Sequence, residues 1–268
     1  MPEEAAKIGV PPFLNTKPLV ASLKGFPVSE HPPSALLPLM KGGALDISLL
    51  PSADIFAAPG LTVLRDPCIA SNGEVGSVAL FSSKPPEKVA SVALDSDSSS
   101  SAAMLKIILE TFCGAKPRYE TRKRGRDFFT GVDAGLVIGN VGLELRLSPP
   151  AGFPLVFDMG EEWTKQTGLP FVYAVFAARE GVDPGEAAAA LPAARDRGMR
   201  MLPEIAERES PALGIPANVC RDYLENKIKY GLGDEEIRGL LEFGRLLGKL
   251  RGAGGEPDIA FYTPEKTR

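Results

Sequence analysis

The residues best suited to chemistry in this chain are neutral hydrogen-bond donors, and they recur at one kind of place. Asn15-Thr16, Ser34 and Ser52 each stand where a short apolar run hands over to a helical pattern. A fourth junction, DSDSSSS at 95–101, brings together Asp95, Ser98, Ser100 and Ser101. Asn140 follows a further apolar run, GLVI, across Gly139. Hydroxyl and amide side chains at a helix start, with the unpaired N–H groups of its first turn, favour an anion. One such junction is an ordinary capped helix. Repetition at the carboxyl ends of successive strands points to a ligand held in a crevice. The single histidine, His31, precedes two prolines and reads as a surface or packing residue, so the expected chemistry works without histidine. Cys68, Cys113 and Cys220 are odd in number, far apart and form no CxxC pair, which indicates neither a disulfide framework nor a zinc site. Reduced thiols are the expectation.

The elements that must position these residues alternate. Strands are expected near 8–10, 28–31, 45–50 and 61–67, with helices at about 16–23 and 35–41 and a short one opening at Ser52. The glycines at 73 and 76 flank a turn, and 77–82 alternates as a strand. SSKPPEKV is a polar, proline-rich connection, read as a crossing between lobes. A buried-type strand at 92–94 precedes the serine cluster. An amphipathic helix over 102–112 follows it, with Leu105, Ile108, Leu109 and Phe112 on one face, so the serines are not a flexible linker. The basic stretch at 118–126 reads as a solvated face. Strands at 135–138, 153–158 and 171–178 frame a short helix carrying Trp163. Helices are expected over 184–200, 202–208 and 216–230, and from a cap at Asp234 to Leu250. The tail 251–268 reads as frayed. The resulting fold is α/β: two lobes around a central cleft, as in type 2 periplasmic-binding-protein folds. Lobe 1 takes 1–83 and 170–268, with a helical C-terminal part, and lobe 2 takes 84–169.

Composition excludes other classes. The chain has 268 residues, 44% hydrophobic and 24% charged, which excludes a mainly disordered chain. A net charge of −4 gives no global attraction to nucleic acid or an anionic membrane. No run reaches the roughly 18 apolar residues of a membrane span. MPEEAAK has no basic segment followed by an apolar one, so a cytoplasmic protein without a secretory signal is expected.

Several segments together carry a resemblance. FLNTKPL, LLPSAD, IASNGEVGSVALFS, VALDSDSSSSAAML, DAGLVIGN, DMGEEW, TGLPFVYAVFAAR and YLENKIKYGLGDEEIRGLLEF occur in order over about 8–250. Together they resemble the chorismate dehydratases of the futalosine route to menaquinone. Phe13 stands where the family usually has Tyr, Ser99-Ser100 where an Arg-Thr pair is common, and Asn140 where an Asp is frequent.

The resemblance implies a hydro-lyase converting chorismate to 3-[(1-carboxyvinyl)oxy]benzoate, with no metal and no cofactor. Removing the proton at ring carbon 3 extends an enolate onto the ring carboxylate. The carbon-4 hydroxyl then leaves and the ring becomes aromatic. Charge growing on that carboxylate needs donors such as serine hydroxyls and helix N-termini. Asp95 is the best-placed protein carboxylate, and its other reading is a cap on the serine loop. The expected acceptor is the substrate's own enolpyruvyl carboxylate, held by the catalytic pair Asn15 and Ser77, with orientation as the enzyme's contribution. Thr16, Ser34, Ser52, Asp95, Ser98, Ser100, Ser101 and Asn140 are expected to bind substrate. A non-catalytic solute-binding protein of the same fold stays open. So does the sister enzyme cleaving cyclic dehypoxanthinyl futalosine, whose family looks to use a histidine base.

Overall fold

A computed structural model describes residues 5–263. The elements in chain order are β1 (Ile8–Val10), α1 (Lys17–Val20), β2 (Val28–Glu30), α2 (Pro33–Lys41), β3 (Ile47–Pro51), α3 (Ser52–Ile55) and β4 (Thr62–Ser71). Then come β5 (Ala79–Ser82), β6 (Ser91–Asp95), α4 (Ser99–Ile107), β7 (Arg118–Arg122), β8 (Ala134–Val137), α5 (Gly139–Leu147), β9 (Leu155–Asp158) and α6 (Met159–Thr167). The chain finishes with β10 (Phe171–Ala178), α7 (Gly185–Met199), α8 (Leu202–Leu213), α9 (Ala217–Asp222), α10 (Asp234–Leu250) and β11 (Ala260–Phe261).

The strands form two sheets, ordered β11-β4-β10-β3-β1-β2 and β7-β6-β8-β5-β9. In the first, β1 runs parallel to β2 and β3, as alternating strands and helices require. The return strand β10 then lies antiparallel between β3 and β4, with Val175 opposite Leu50 on one side and Cys68 on the other. β3 is an apolar run because it sits in mid-sheet, with Ile47 to Leu50 wholly buried.

One sequence boundary moves. The strand at 79–82, expected in lobe 1, pairs antiparallel with β8 and β9 in the second sheet. The chain therefore changes sheet between β4 and β5, not in the proline-rich stretch after residue 83. That stretch holds only a short 3-10 turn, Pro86–Lys88. The glycine turn before Ser77 makes the crossing, and its buried Val75 and Gly76 N–H groups find a partner in Asp158, as described below. The tail expectation also changes: Ala260 and Phe261 add a parallel edge strand to β4, and Arg65 lies over the Phe261 ring. Residues 264–268 of that stretch, and 1–4 of the acidic start, lie outside the described residues.

The core is continuous across the crossing. One buried cluster contains Ile8 and Phe171 from the first sheet together with Leu80 and Val92 from the second. Trp163 of α6 meets the Phe171 ring at 5.0 Å and the Phe243 ring of α10 at 6.1 Å, edge to face. α10 buries Leu240, Phe243 and Leu247, the spacing of one helical face. Its cap is Gly233 with Glu236 reaching back to the Gly233 N–H, and not Asp234. Among the described residues no helix is long and apolar enough to cross a membrane.

Candidate active site

Pro11-Pro12 ends β1, since proline supplies no ladder donor. The chain then makes a buried 3-10 turn, Leu14–Thr16, before α1. This is shorter than the helix expected over 16–23. Thr16 precedes α1 without a side-chain capping bond, and its hydroxyl lies 3.5 Å from Asn15 Oδ1. α5 holds the turn from the other sheet. Asn140 Oδ1 accepts the Leu14 N–H at 2.9 Å, and Asn140 Nδ2 donates to the Pro12 carbonyl at 3.4 Å. The Phe13 ring lies over Gly139, which has φ +67°, and a Cβ there would fall 2.7 Å from the ring.

The serine cluster is closer to a helix than expected. Ser99 to Ser101 form the first turn of α4, which continues through a wide π-helical turn to Phe112. Ser98 Oγ donates to the Asp95 carbonyl at 2.6 Å, and Asp95 Oδ1 accepts the Asp97 N–H at 3.1 Å. Ser100 Oγ accepts the Ala53 N–H at 3.0 Å, tying α4 to α3 across the sheets.

Between the sheets lies a cavity of about 620 Å³ including its open mouth, and Asn15, Thr16, Ser77, Ser98, Ser100 and Ser101 all line it. Apolar walls come from Phe13, Leu49, Ile69, Val75 and Ile138. Asp97 is the one ionisable carboxylate among the described lining residues, and no lysine or arginine lines it. Arg124 stands just behind, with Nε 3.1 Å from Asp95 Oδ2 and a terminal nitrogen 3.6 Å from Asp97 Oδ2. Burial pushes the Asp95 carboxyl above its ordinary value, against the Asp97 N–H and Arg124, which pull it down.

Four expected ligand residues are placed elsewhere. Ser52 is wholly buried and donates to the Val172 carbonyl at 2.6 Å, so it braces α3 against β10. Asp95 caps the serine loop and pairs with Arg124, outside the cavity lining. Asn140 clamps the 12–14 turn, as above. Ser34 follows the first residue of α2 and, instead of capping it, donates to Asp97 Oδ1 at 2.7 Å, joining the two lobes at the cavity's edge. For Ser34, Ser52 and Asn140 the side chain bonds a backbone or carboxylate partner brought from far along the chain, whereas Asp95 bonds the nearby Asp97 N–H and the Arg124 guanidinium. His31 bonds the Ser29 hydroxyl at 2.9 Å and is not among the lining residues.

Sequence reading missed four residues here. Tyr173 and Ser99 line the cavity. Tyr223 lies behind it, with its hydroxyl between Asn15 Nδ2 at 2.8 Å and Ser77 Oγ at 2.9 Å. Burial pushes both phenols well above their ordinary value, so neither serves as a tyrosinate base. Asp158 organises the loop that carries Ser77. Its Oδ1 accepts the N–H groups of Val75, Gly160 and Glu161, and its Oδ2 those of Gly76 and the Arg146 guanidinium, all at 2.7–3.1 Å. Glu74 joins Arg146 to Lys227 at 2.5 Å on each side. The one available signal was an aspartate ahead of Met-Gly-Glu-Glu, a helix N-cap pattern.

α5 also presses on the Ser77 loop directly. A Cβ on Gly142 would lie 2.3 Å from the Ser77 carbonyl oxygen. Gly142→Ala is therefore expected to cost about 1–3 kcal/mol through overpacking. It should also lower activity more than stability alone explains. Thermal unfolding and turnover, measured together, check this; an unchanged pair of values rejects the close approach.

Two α/β lobes on either side of a cavity lined by hydroxyls and the first turn of α4 define a fold of the periplasmic-binding-protein type. Solved structures agree on the fold. The periplasmic aliphatic sulphonate binding protein of Escherichia coli matches with TM-score 0.69 at 18% identity, covering 99% of this chain and 94% of its own. A protein from Archaeoglobus fulgidus matches with TM-score 0.69 at 11% identity, covering 94% and 99%. A family model described as menaquinone biosynthesis matches residues 6–249. The chorismate dehydratase of Thermus thermophilus is 34% identical over 258 residues, 90% of this chain and 94% of that protein. The chain belongs to this menaquinone-biosynthesis family.

Proposed function

We propose that the protein is a chorismate dehydratase, a hydro-lyase forming 3-[(1-carboxyvinyl)oxy]benzoate for menaquinone by the futalosine route. The observation that carries the site reading is the pairing of donor sets around one cavity. Asn15, Thr16 and Ser77 form one set, and Ser99 to Ser101 in the first turn of α4 form the other, since Ser98 gives its hydroxyl proton to the Asp95 carbonyl. Chorismate has two carboxylates, one on the ring and one on the enolpyruvyl arm.

In this reading the ring carboxylate sits at the α4 N-terminus, where serine hydroxyls and backbone N–H groups meet the charge that grows on it. Asn15 and Ser77 hold the enolpyruvyl carboxylate against carbon 3. That carboxylate takes the carbon-3 proton, and the C–H electron pair moves into the diene conjugated with the ring carboxylate. The carbon-4 C–O bond breaks, and the hydroxyl leaves as water with the proton just removed. Proximity replaces a protein base. Apolar walls from Phe13, Ile69 and Val75 support a dry ring pocket. The crossings at 72–78 and 159–170 are the proposed hinge between the lobes, with Ser34 and Asp97 meeting on closure. The proposed setting is the cytoplasm, which free Cys68, Cys113 and Cys220 support. The proposed partner is the small-molecule substrate, with no nucleic acid and no membrane.

The test mixes purified protein with chorismate in metal-free buffer and follows the product by absorbance and mass. Loss of one water per chorismate, unaffected by chelator, is the expected result. A thermal shift with chorismate but no turnover would instead assign the protein to the solute-binding class.

A further inference from the structure

The hydroxyl of Tyr223 has two neighbours, and both are residues to which the proposed reaction assigns the substrate's enolpyruvyl carboxylate. It begins the wide turn Tyr223–Lys227 after α9 and is 3% exposed. Asn15 Nδ2 approaches it at 2.8 Å, and Ser77 Oγ lies on its other side at 2.9 Å. Asn15 and Ser77 line the cavity, whereas Tyr223 does not.

Counting protons gives this three-membered chain a direction. An amide nitrogen only donates, so the Tyr223 oxygen accepts from Asn15. The phenol has one proton, and among the described residues its remaining partner is Ser77 Oγ. A buried hydroxyl hydrogen without an acceptor is penalised, so that proton goes to Ser77. Ser77, already accepting, keeps its own proton for the cavity. Asn15 likewise has a second N–H left over. Both cavity residues are thereby held as donors, the polarity that a carboxylate needs and an uncharged ligand does not. Burial raises the Tyr223 phenol well above its ordinary value, with the Asp158 charge adding to it and the Ser77 and Asn15 bonds opposing it. The phenol thus keeps the proton on which the direction depends.

We propose that Tyr223 is a positioning residue that sets the hydrogen-bond direction at Asn15 and Ser77, so that both present donors to the substrate's enolpyruvyl carboxylate. This rests on the chorismate dehydratase reading. In Tyr223→Phe the Asn15 amide is held only by the long 3.5 Å contact from the Thr16 hydroxyl to its oxygen, and the Ser77 hydroxyl is free to rotate. The expected result is a fall in kcat of roughly 10–100-fold, smaller than loss of a direct oxyanion donor, with KM moved far less. In a Ser77→Ala background the same change should cost much less, because one of its two outlets is gone. Equal costs in the two backgrounds, or a wild-type kcat in Tyr223→Phe, would overturn the proposal.

A neutron structure of the wild-type protein tests the direction without any variant. It should place a deuteron on the Tyr223 oxygen pointing at Ser77 Oγ, and the Ser77 deuteron in the cavity. A Ser77 deuteron pointing at Tyr223 would overturn the assignment. A wild-type protein that leaves chorismate unchanged rejects the reaction itself, and that outcome is distinct from either of these.

Discussion

Asn15→Ala and Ser77→Ala should each lower the dehydration rate by about 10²–10³-fold, the loss typical of an oriented donor at a developing charge. The double variant should lose less than the product of the two. The residues are joined through one phenol, and groups that act as a unit are not additive. Both side chains face a cavity, so neither change leaves a large void, and unfolding temperatures should stay near the wild-type value. Steady-state kinetics with chorismate, alongside thermal melts of all four proteins, separates catalytic loss from unfolding. A double variant working at the normal rate would remove Asn15 and Ser77 from the mechanism and return the proton acceptor to the protein, with Asp97 the next candidate in the lining.

The largest effect on stability is expected at Asp158. Its side chain is almost wholly buried and receives four backbone N–H groups and the Arg146 guanidinium. Asp158→Ala strands these donors, removes the cap of α6 and leaves Arg146 with Glu74 alone among its ion pairs. Removing one member of a buried charged network costs about 3–5 kcal/mol. For a chain of this size that lowers the melting temperature on the order of 10 °C. The stabilised loop is the one that ends at Ser77, so the folded fraction should also be slow. Arg221→Ala, which breaks the exposed pair with Glu225, is the control and should change stability by under about 1 kcal/mol. Melting curves of the two variants decide it: comparable small shifts would mean that water replaces Asp158 without penalty.

The sequence alone determined what is local. Alternating apolar runs and helical patterns set the α/β class and the parallel pairing of β1 with β2 and β3, because hydrophobic periodicity fixes which faces must be buried. The same pattern placed the strand-to-helix junctions, and the shared motifs carried the family. Ser52 and Ser100 show where that reading stops. Both are serines in the first turn of a helix after a buried strand. One donates to the Val172 carbonyl, while the other lines the cavity and accepts from Ala53. Their type and spacing are alike, and the difference lies in what the other sheet or the return strand brings against them.

The long-range contacts of Tyr223 and Asp158 were illegible for the same reason. Tyr223 reaches Asn15 across 208 residues and Ser77 across 146, and Asp158 meets Gly76 across 82. A hydrogen bond depends on angstroms of separation and on direction, and periodicity along the chain carries neither for residues so far apart. Residue types therefore set which neutral donors were available. Packing of the two sheets decided which of them face the cavity and which are engaged in bracing it.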